Sequence, residues 1–181
     1  MEKTERTNAK AYHCIHLDSQ RFLDQFTAIA GAVNGLRNKK FLDVGCGLGQ
    51  KVYMARKFLE MSATGLELRP AYVKTGNQLL KRYLSYKNET EKEDSFFPRI
   101  VRGNAITYKK YQDYDVIYFY RPAPDPVIQE KIEHAIAKGA KAGAIIVGHL
   151  VQCFHNPEFL KQYNLTAHNA DGKTERYWIK G

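Results

Sequence analysis

A chain of 181 residues, 44% hydrophobic and 26% charged, is long enough to bury one core without disulfides or structural metals, and its composition is neither disordered nor fibrous. Its cysteines, Cys14, Cys46 and Cys153, are odd in number and lack paired spacing, which argues against a disulfide framework or a zinc knuckle. The formal charge of +9 favours an anionic partner, although Lys39-Lys40, Lys81-Arg82 and Lys109-Lys110 are short doublets of the kind that solvated helix ends and loops also carry.

The opening residues MEKTERTNAK are polar and charged, and no later apolar run reaches membrane-spanning length, so a soluble cytoplasmic protein is expected. Between about Asp18 and Val33, Phe22, Leu23, Phe26, Ile29 and Ala30 recur at near-helical spacing and predict an amphipathic helix that packs on a sheet or covers a site. Lys40 to Val44 is a short apolar run that ends in a glycine-rich turn, and Lys51 to Met61 then reads as a helix. The alternation continues with a strand over Ala63–Leu68, a helix over Ala71–Tyr86, and strands over Arg99–Arg102 and Asp115–Tyr120. A helix over Pro126–Lys138 and a strand over Ala142–Val147 follow. KNETEKEDS, residues 87–95, is expected as an exposed loop. Asn164–His168 and Thr174–Ile179 read as a hairpin around Asp171-Gly172.

This order predicts an α/β fold with one doubly wound, mostly parallel sheet, helices on both faces and a C-terminal β-hairpin. A single domain over residues 1–181 is expected, with a helical extension at about 1–37.

The segment FLDVGCGLGQ carries the strongest chemical signal. Asp43 closes a strand, and Gly45, Gly47 and Gly49 follow at alternate positions before a helix, where missing Cβ atoms permit unusual backbone angles or a ligand against the main chain. A nicotinamide or flavin site also begins with a strand, a glycine turn and a helix, but it asks for G-x-G-x-x-G and a pyrophosphate on the helix terminus. G-x-G-x-G with a carboxylate just before it better suits a ligand bearing cationic groups.

Asp43-Val44-Gly45-Cys46-Gly47-Leu48-Gly49 resembles the first motif of class I S-adenosylmethionine-dependent methyltransferases, which have a Rossmann-like fold. The resemblance implies S-adenosyl-L-methionine as cofactor, with Asp43, Gly45, Cys46, Gly47 and Gly49 on the turn beneath it. Glu67, at the end of the second strand, falls where that family places the acceptor of the ribose hydroxyl hydrogen bonds, and Leu68 adjoins it. Asn104 and Ala105, after the third strand, fall where the family recognises adenine; Asn replaces the more frequent Asp there and retains an amide acceptor. Gly45-x-Gly47-x-Gly49-Gln50 with Val52, Gly65-Leu66-Glu67 and Arg102-Gly103-Asn104 is also similar, over roughly residues 40 to 150, to the seven-strand protein-lysine methyltransferases.

The fourth strand delivers Asp115-Val116-Ile117-Tyr118-Phe119-Tyr120-Arg121-Pro122 to the carboxyl edge of the sheet, where open α/β folds bind ligands. Tyr120 and Arg121, at its end, are the candidate catalytic residues in contact with acceptor; alternation places Tyr118 and Tyr120 on one face, with Tyr118 in the core. Many nucleic-acid amino methyltransferases carry Asp/Asn-Pro-Pro-aromatic here, whereas this chain has Tyr120-Arg121-Pro122-Ala123. A protein lysine or a small molecule is therefore favoured over a nucleic-acid base as methyl acceptor. The competing reading is a basic nucleic-acid-binding module on an inactive methyltransferase fold, which rests on the charge and the missing acceptor motif. His13, Cys14 and His16 lack a complementary ligand pair, so no metal is expected.

Overall fold

A computed structural model describes residues 18–85, 97–170 and 176–181. The first 17 residues of the expected extension, with His13, Cys14 and His16, lie outside the described residues, as do the 87–95 loop and the Asp171-Gly172 turn.

Helix α1 (Ser19–Ala32) begins where the Asp18 carboxylate accepts from the Gln20 N–H at 2.9 Å, and it buries Phe22, Gln25, Phe26 and Ile29 on one stripe. Strand β1 (Lys40–Val44) leads through the glycine turn into α2 (Gln50–Leu59), which is followed by β2 (Ser62–Glu67), α3 (Pro70–Ser85) and β3 (Arg99–Arg102). A three-residue 3-10 turn at Tyr111–Asp113 is the helical element between β3 and β4 (Val116–Tyr120). Helix α4 (Pro126–Gly139) starts on a strong cap: Asp125 accepts from the N–H groups of Val127 and Ile128, and Pro126 occupies the first turn, where its missing N–H costs nothing. The chain ends with β5 (Ile145–His149), α5 (Pro157–Gln162), β6 (Leu165–Asn169) and β7 (Arg176–Lys180).

The sheet runs β3-β2-β1-β4-β5-β7-β6. Its first five strands are parallel, and β7 lies antiparallel between β5 and β6. Helices α1, α2 and α3 cover one face through Phe22, Phe26, Val52, Ala55 and Leu80, packed on Phe41, Tyr118 and Val147. Helices α4 and α5 cover the other through Ile132, Ile136 and Phe159, packed on Ile117, Phe119 and Trp178. The expected doubly wound α/β architecture and its closing hairpin are present.

Several boundaries shift by one to three residues, and one short helix was not expected. Strand β5 starts at Ile145 and runs to His149, because Gly143 at φ 77 and a turn from Lys141 to Ala144 occupy the predicted start. Strand β2 ends at Glu67, where the carboxylate takes the Arg69 N–H and turns the chain. Helix α5 has only six residues, too few to show a helical period in sequence.

Candidate functional site

The strand order reverses direction between β1 and β4, and the carboxyl ends of these strands with β2 and β5 gather the candidate residues on the face covered by α1, α2 and α3. Parallel register places Asp43 beside Gly65 on one side and Tyr118 on the other.

The glycine turn is a hydrogen-bonded structure. Gly45 and Cys46 both donate to the Leu66 carbonyl, at 2.8 and 3.2 Å, and Gly49 donates to the Cys46 carbonyl at 2.9 Å. The Gly47 N–H donates to Glu67 Oε2 at 2.9 Å, while Glu67 Oε1 accepts from the Arg69 N–H at 2.8 Å. The Glu67 carboxylate, 7% exposed, therefore faces the turn. All three glycines are left-handed, at φ 78, 57 and 83, a region costly for side-chain-bearing residues.

Two of these glycines also make room for protein. A Cβ on Gly45 would lie 2.5 Å from the Cβ of Pro122, and one on Gly49 would lie 2.7 Å from Cδ1 of Ile100. The loop after β4 thus rests on the start of the turn. Cys46 Sγ packs against Gly65, where a Cβ would lie 2.4 Å from it, and donates weakly to the Gly47 carbonyl at 3.8 Å. Leu48 and Leu68 flank the turn with 37% and 51% of their surface open, large apolar groups only partly covered by the described residues.

Asp43 is buried beneath the turn, and burial pushes its carboxyl up to about 7; the nearby Lys51 charge opposes this and the Glu67 charge adds to it. Lys51 is itself buried in α2, its ammonium 5.2 Å from the centre of the Phe22 ring, and burial lowers its pKa against the pull of Asp43 and Asp18. Both partners are drawn toward their neutral forms.

Tyr118 lies in an aromatic cluster, edge-on to Phe22 at 5.3 Å and stacked near Phe41 at 6.2 Å, in the core as expected. Its hydroxyl is buried with no hydrogen-bond partner among the described residues. Tyr120 is half-buried, its ring 5.5 Å from that of His149. Arg121 adopts φ 36 and sends its guanidinium back to the Pro124 carbonyl at 3.4 Å, so it shapes the turn after β4. Asn104 is exposed after β3; its Oδ1 accepts from the Ile106 N–H at 2.9 Å, which leaves one lone pair and the amide donors facing outward, with Ala105 half-buried beside it.

Four residues were not singled out in the sequence. His149, at the end of β5, lies 2.8 Å through Nε2 from Oε1 of buried Gln25 on α1. Burial and the Arg21 charge press its pKa down to about 4, so the ring is neutral, with the proton on Nε2 and a lone pair on Nδ1. Glu133 and Gln129 are fully buried on α4. Glu133 accepts from Gln129 Nε2 at 2.7 Å, from the Gln152 N–H at 2.9 Å and from the Cys153 N–H at 2.6 Å. Gln129 Oε1 in turn accepts from the Ala123 N–H at 3.4 Å, so one polar chain ties the loop after β4 to the loop after β5. The only sequence signal for His149 was its alternation with Val147, two residues past the predicted strand end.

This strand order, with a glycine turn after β1 and an antiparallel seventh strand inserted beside β5, is the Rossmann-like fold of class I S-adenosylmethionine-dependent methyltransferases. Solved structures of that fold superpose on the chain. An RNA methyltransferase from Salinibacter ruber in complex with S-adenosylhomocysteine matches with TM-score 0.60 and 13% identity over 91% of each chain. A precorrin-6y C5,15-methyltransferase from Geobacter metallireducens matches with TM-score 0.59 and 14% identity, over 93% of this chain and 89% of that one. A candidate sarcosine dimethylglycine methyltransferase from Galdieria sulphuraria matches with TM-score 0.62 and 13% identity; 83% of this chain is covered, and it spans only 63% of the Galdieria protein. No family model matches the chain, and no curated protein matches it in sequence.

Proposed function

We propose that this chain binds S-adenosyl-L-methionine on the glycine turn and transfers its methyl group to an acceptor received over the ends of β4 and β5. The observation that carries this reading is the Glu67 carboxylate, buried at the end of β2 and 2.9 Å from the Gly47 nitrogen, at the position where the resemblance to methyltransferases implies the acceptor of the ribose hydroxyl hydrogen bonds. The residues fit the group in three further respects. Gly47, left-handed like its neighbours, lets a ligand lie against the main chain, Leu48 and Leu68 offer partly exposed apolar surface to a purine, and Asp43 places a buried carboxyl near the turn whose ionised form the ammonium and sulfonium of the ligand would favour. Asn104 offers the amide donors and a remaining lone pair to an adenine edge.

The bound cofactor supplies an activated methyl group, so the protein is left to position the acceptor and exclude water. Tyr120 and His149 form an aromatic wall at the strand ends, and α1 closes it through the contact between Gln25 and His149. Tyr120 borders the acceptor, and Arg121 sets the course of the loop beside it. An amine acceptor must be neutral to attack; as its nitrogen bonds to the methyl carbon the C–S bond would break to leave a neutral thioether, and a neutral His149 could accept the proton that the methylated nitrogen then sheds. A protein lysine ε-amine is the acceptor we put forward, supported by the likeness of the glycine turn and Gly65-Leu66-Glu67 to lysine methyltransferases and by the aromatic wall, which suits an amine.

The formal charge of +9 supports one second reading, a nucleic-acid-binding module without catalysis. Transfer of labelled methyl from S-adenosylmethionine to an extract of the source cells, separated into protein, nucleic acid and small molecules, distinguishes these outcomes. Label in protein that acid hydrolysis recovers as methyl-lysine supports the lysine acceptor. Label in RNA or in small molecules overturns it. Salt-sensitive nucleic-acid binding without any labelled product supports the second reading.

A further inference from the structure

Across the sheet from the glycine turn, the outer side of α4 meets the loop after β5. Glu130 and His134, one helical turn apart on α4, and Cys153 from that loop bring a carboxylate oxygen, an imidazole nitrogen and a thiol sulfur within 4.8 Å of one another. The His134 Nε2 and Glu130 Oε1 atoms are 3.8 Å apart. Ligands at about 2.0 to 2.3 Å around a tetrahedral Zn2+ lie roughly 3.3 to 3.8 Å from each other, so closure asks for about 1 Å of movement. Exposed Glu130 can make that movement by a rotamer adjustment.

The other two donors are held in place. His134 is held by a 2.7 Å hydrogen bond between Nδ1 and the Tyr163 hydroxyl and by edge contact with Phe159 at 5.0 Å, with Nε2 on the Glu130 side. An imidazole whose second nitrogen is already engaged is the arrangement that orients a metal-ligating histidine. Cys153 is fixed through its backbone, because its N–H donates to the buried Glu133 carboxylate of the same helix at 2.6 Å. A surface cavity of about 410 Å3, bordered by Ile106, Val127, Lys131, Lys138 and Tyr163, adjoins Glu130 and His134.

We propose that Glu130, His134 and Cys153 form a three-ligand Zn2+ site whose fourth position opens on this cavity. One thiolate, one imidazole and one carboxylate are a donor set that selects zinc over the hard cations. Burial and the Glu133 and Glu130 carboxylates push the Cys153 thiol up to about 12, so the ion itself must displace the thiol proton to solvent, and its two positive charges then stand against the thiolate, the Glu130 carboxylate and the neighbouring Glu133. Lys131 and Lys138 on the cavity rim favour an anion or hydroxide at the open position. The ion clasps the loop after β5 to α4, and its binding does not depend on methyl transfer.

The test titrates the reduced full-length chain with Co2+ as a spectroscopic probe and then displaces it with Zn2+, with affinity read by competition against a chromophoric chelator. One metal per chain and a thiolate-to-cobalt charge-transfer band are expected. Cys153→Ser should remove the band, and Tyr163→Phe should weaken Zn2+ binding by about tenfold or more while keeping the band. A band that persists in Cys153→Ser assigns the thiolate to Cys14 or Cys46 and overturns the site, as does the lack of any band in the wild type. If circular dichroism shows that Cys153→Ser does not fold, Glu130→Gln and Tyr163→Phe, which alter partly exposed groups, carry the test: unchanged zinc affinity in both contradicts the proposal.

Discussion

Replacing Asp43 with Asn removes an ionisable group that burial carries from an ordinary carboxyl value of 3.8 to about 7, and so exposes how this site titrates. In the folded protein the carboxyl keeps its proton to near neutrality, whereas in the unfolded chain it loses it in the normal acid range. Its contribution to stability is therefore fully present below about pH 4 and is lost as the pH rises through about 7. Between about pH 5 and pH 8 the loss has a ceiling near 3 kcal/mol, and the neighbouring Lys51 charge and local relaxation bring the expected value to about 1 to 3 kcal/mol. Urea unfolding of the wild type and Asp43→Asn at both pH values reads it directly, because the difference between the two proteins cancels other titrating groups. The wild type should lose stability relative to the variant on going from the lower pH to the higher. An equal pH dependence in both proteins would show that Asp43 is already ionised in the fold and would refute the electrostatic picture of the site.

His149 titrates in the opposite sense: pressed down to about 4, it contributes stability above about pH 6.5 that is lost as the pH falls through 4, and His149→Gln should flatten the acid side of the wild-type stability profile by up to about 3 kcal/mol. Glu133→Ala leaves the N–H groups of Gln152 and Cys153 and the Gln129 amide without their acceptor, so thermal or urea unfolding should show a loss of about 3 kcal/mol or more, with Glu133→Gln intermediate. Gly47→Leu forces a side chain into φ 57 and covers the main chain of the turn; it should cost about 1 to 2 kcal/mol of stability and abolish the thermal shift given by S-adenosylhomocysteine, and a retained shift would place the ligand elsewhere.

The fold was legible because its signals are local and repeated. Strand β1 and strand β3 fall at the predicted residues, since each is a short apolar run bounded by turn residues, and α1 and α4 begin on Asp18 and Asp125, whose side chains cap them. The glycine turn was legible for the same reason: positive φ at Gly45, Gly47 and Gly49 leaves few other residues able to stand there. Long-range partnership was not legible. Nothing near Glu133 in sequence announces that it receives the N–H groups of Gln152 and Cys153, 19 and 20 residues away, and nothing near Gln25 announces His149, 124 residues on. A single strand end displaced by two residues hid His149, because a predicted stop at Val147 left it in a loop. Pro122 packing on Gly45 was equally invisible, although it explains one of the glycines without any ligand.

Isothermal titration of the purified chain with S-adenosylhomocysteine, beside Glu67→Ala, tests the central claim most directly. Saturable binding of one ligand per chain that Glu67→Ala weakens by tenfold or more, about 1.4 kcal/mol, is the predicted result. No measurable binding by the wild type, or equal affinity in the variant, would contradict the account.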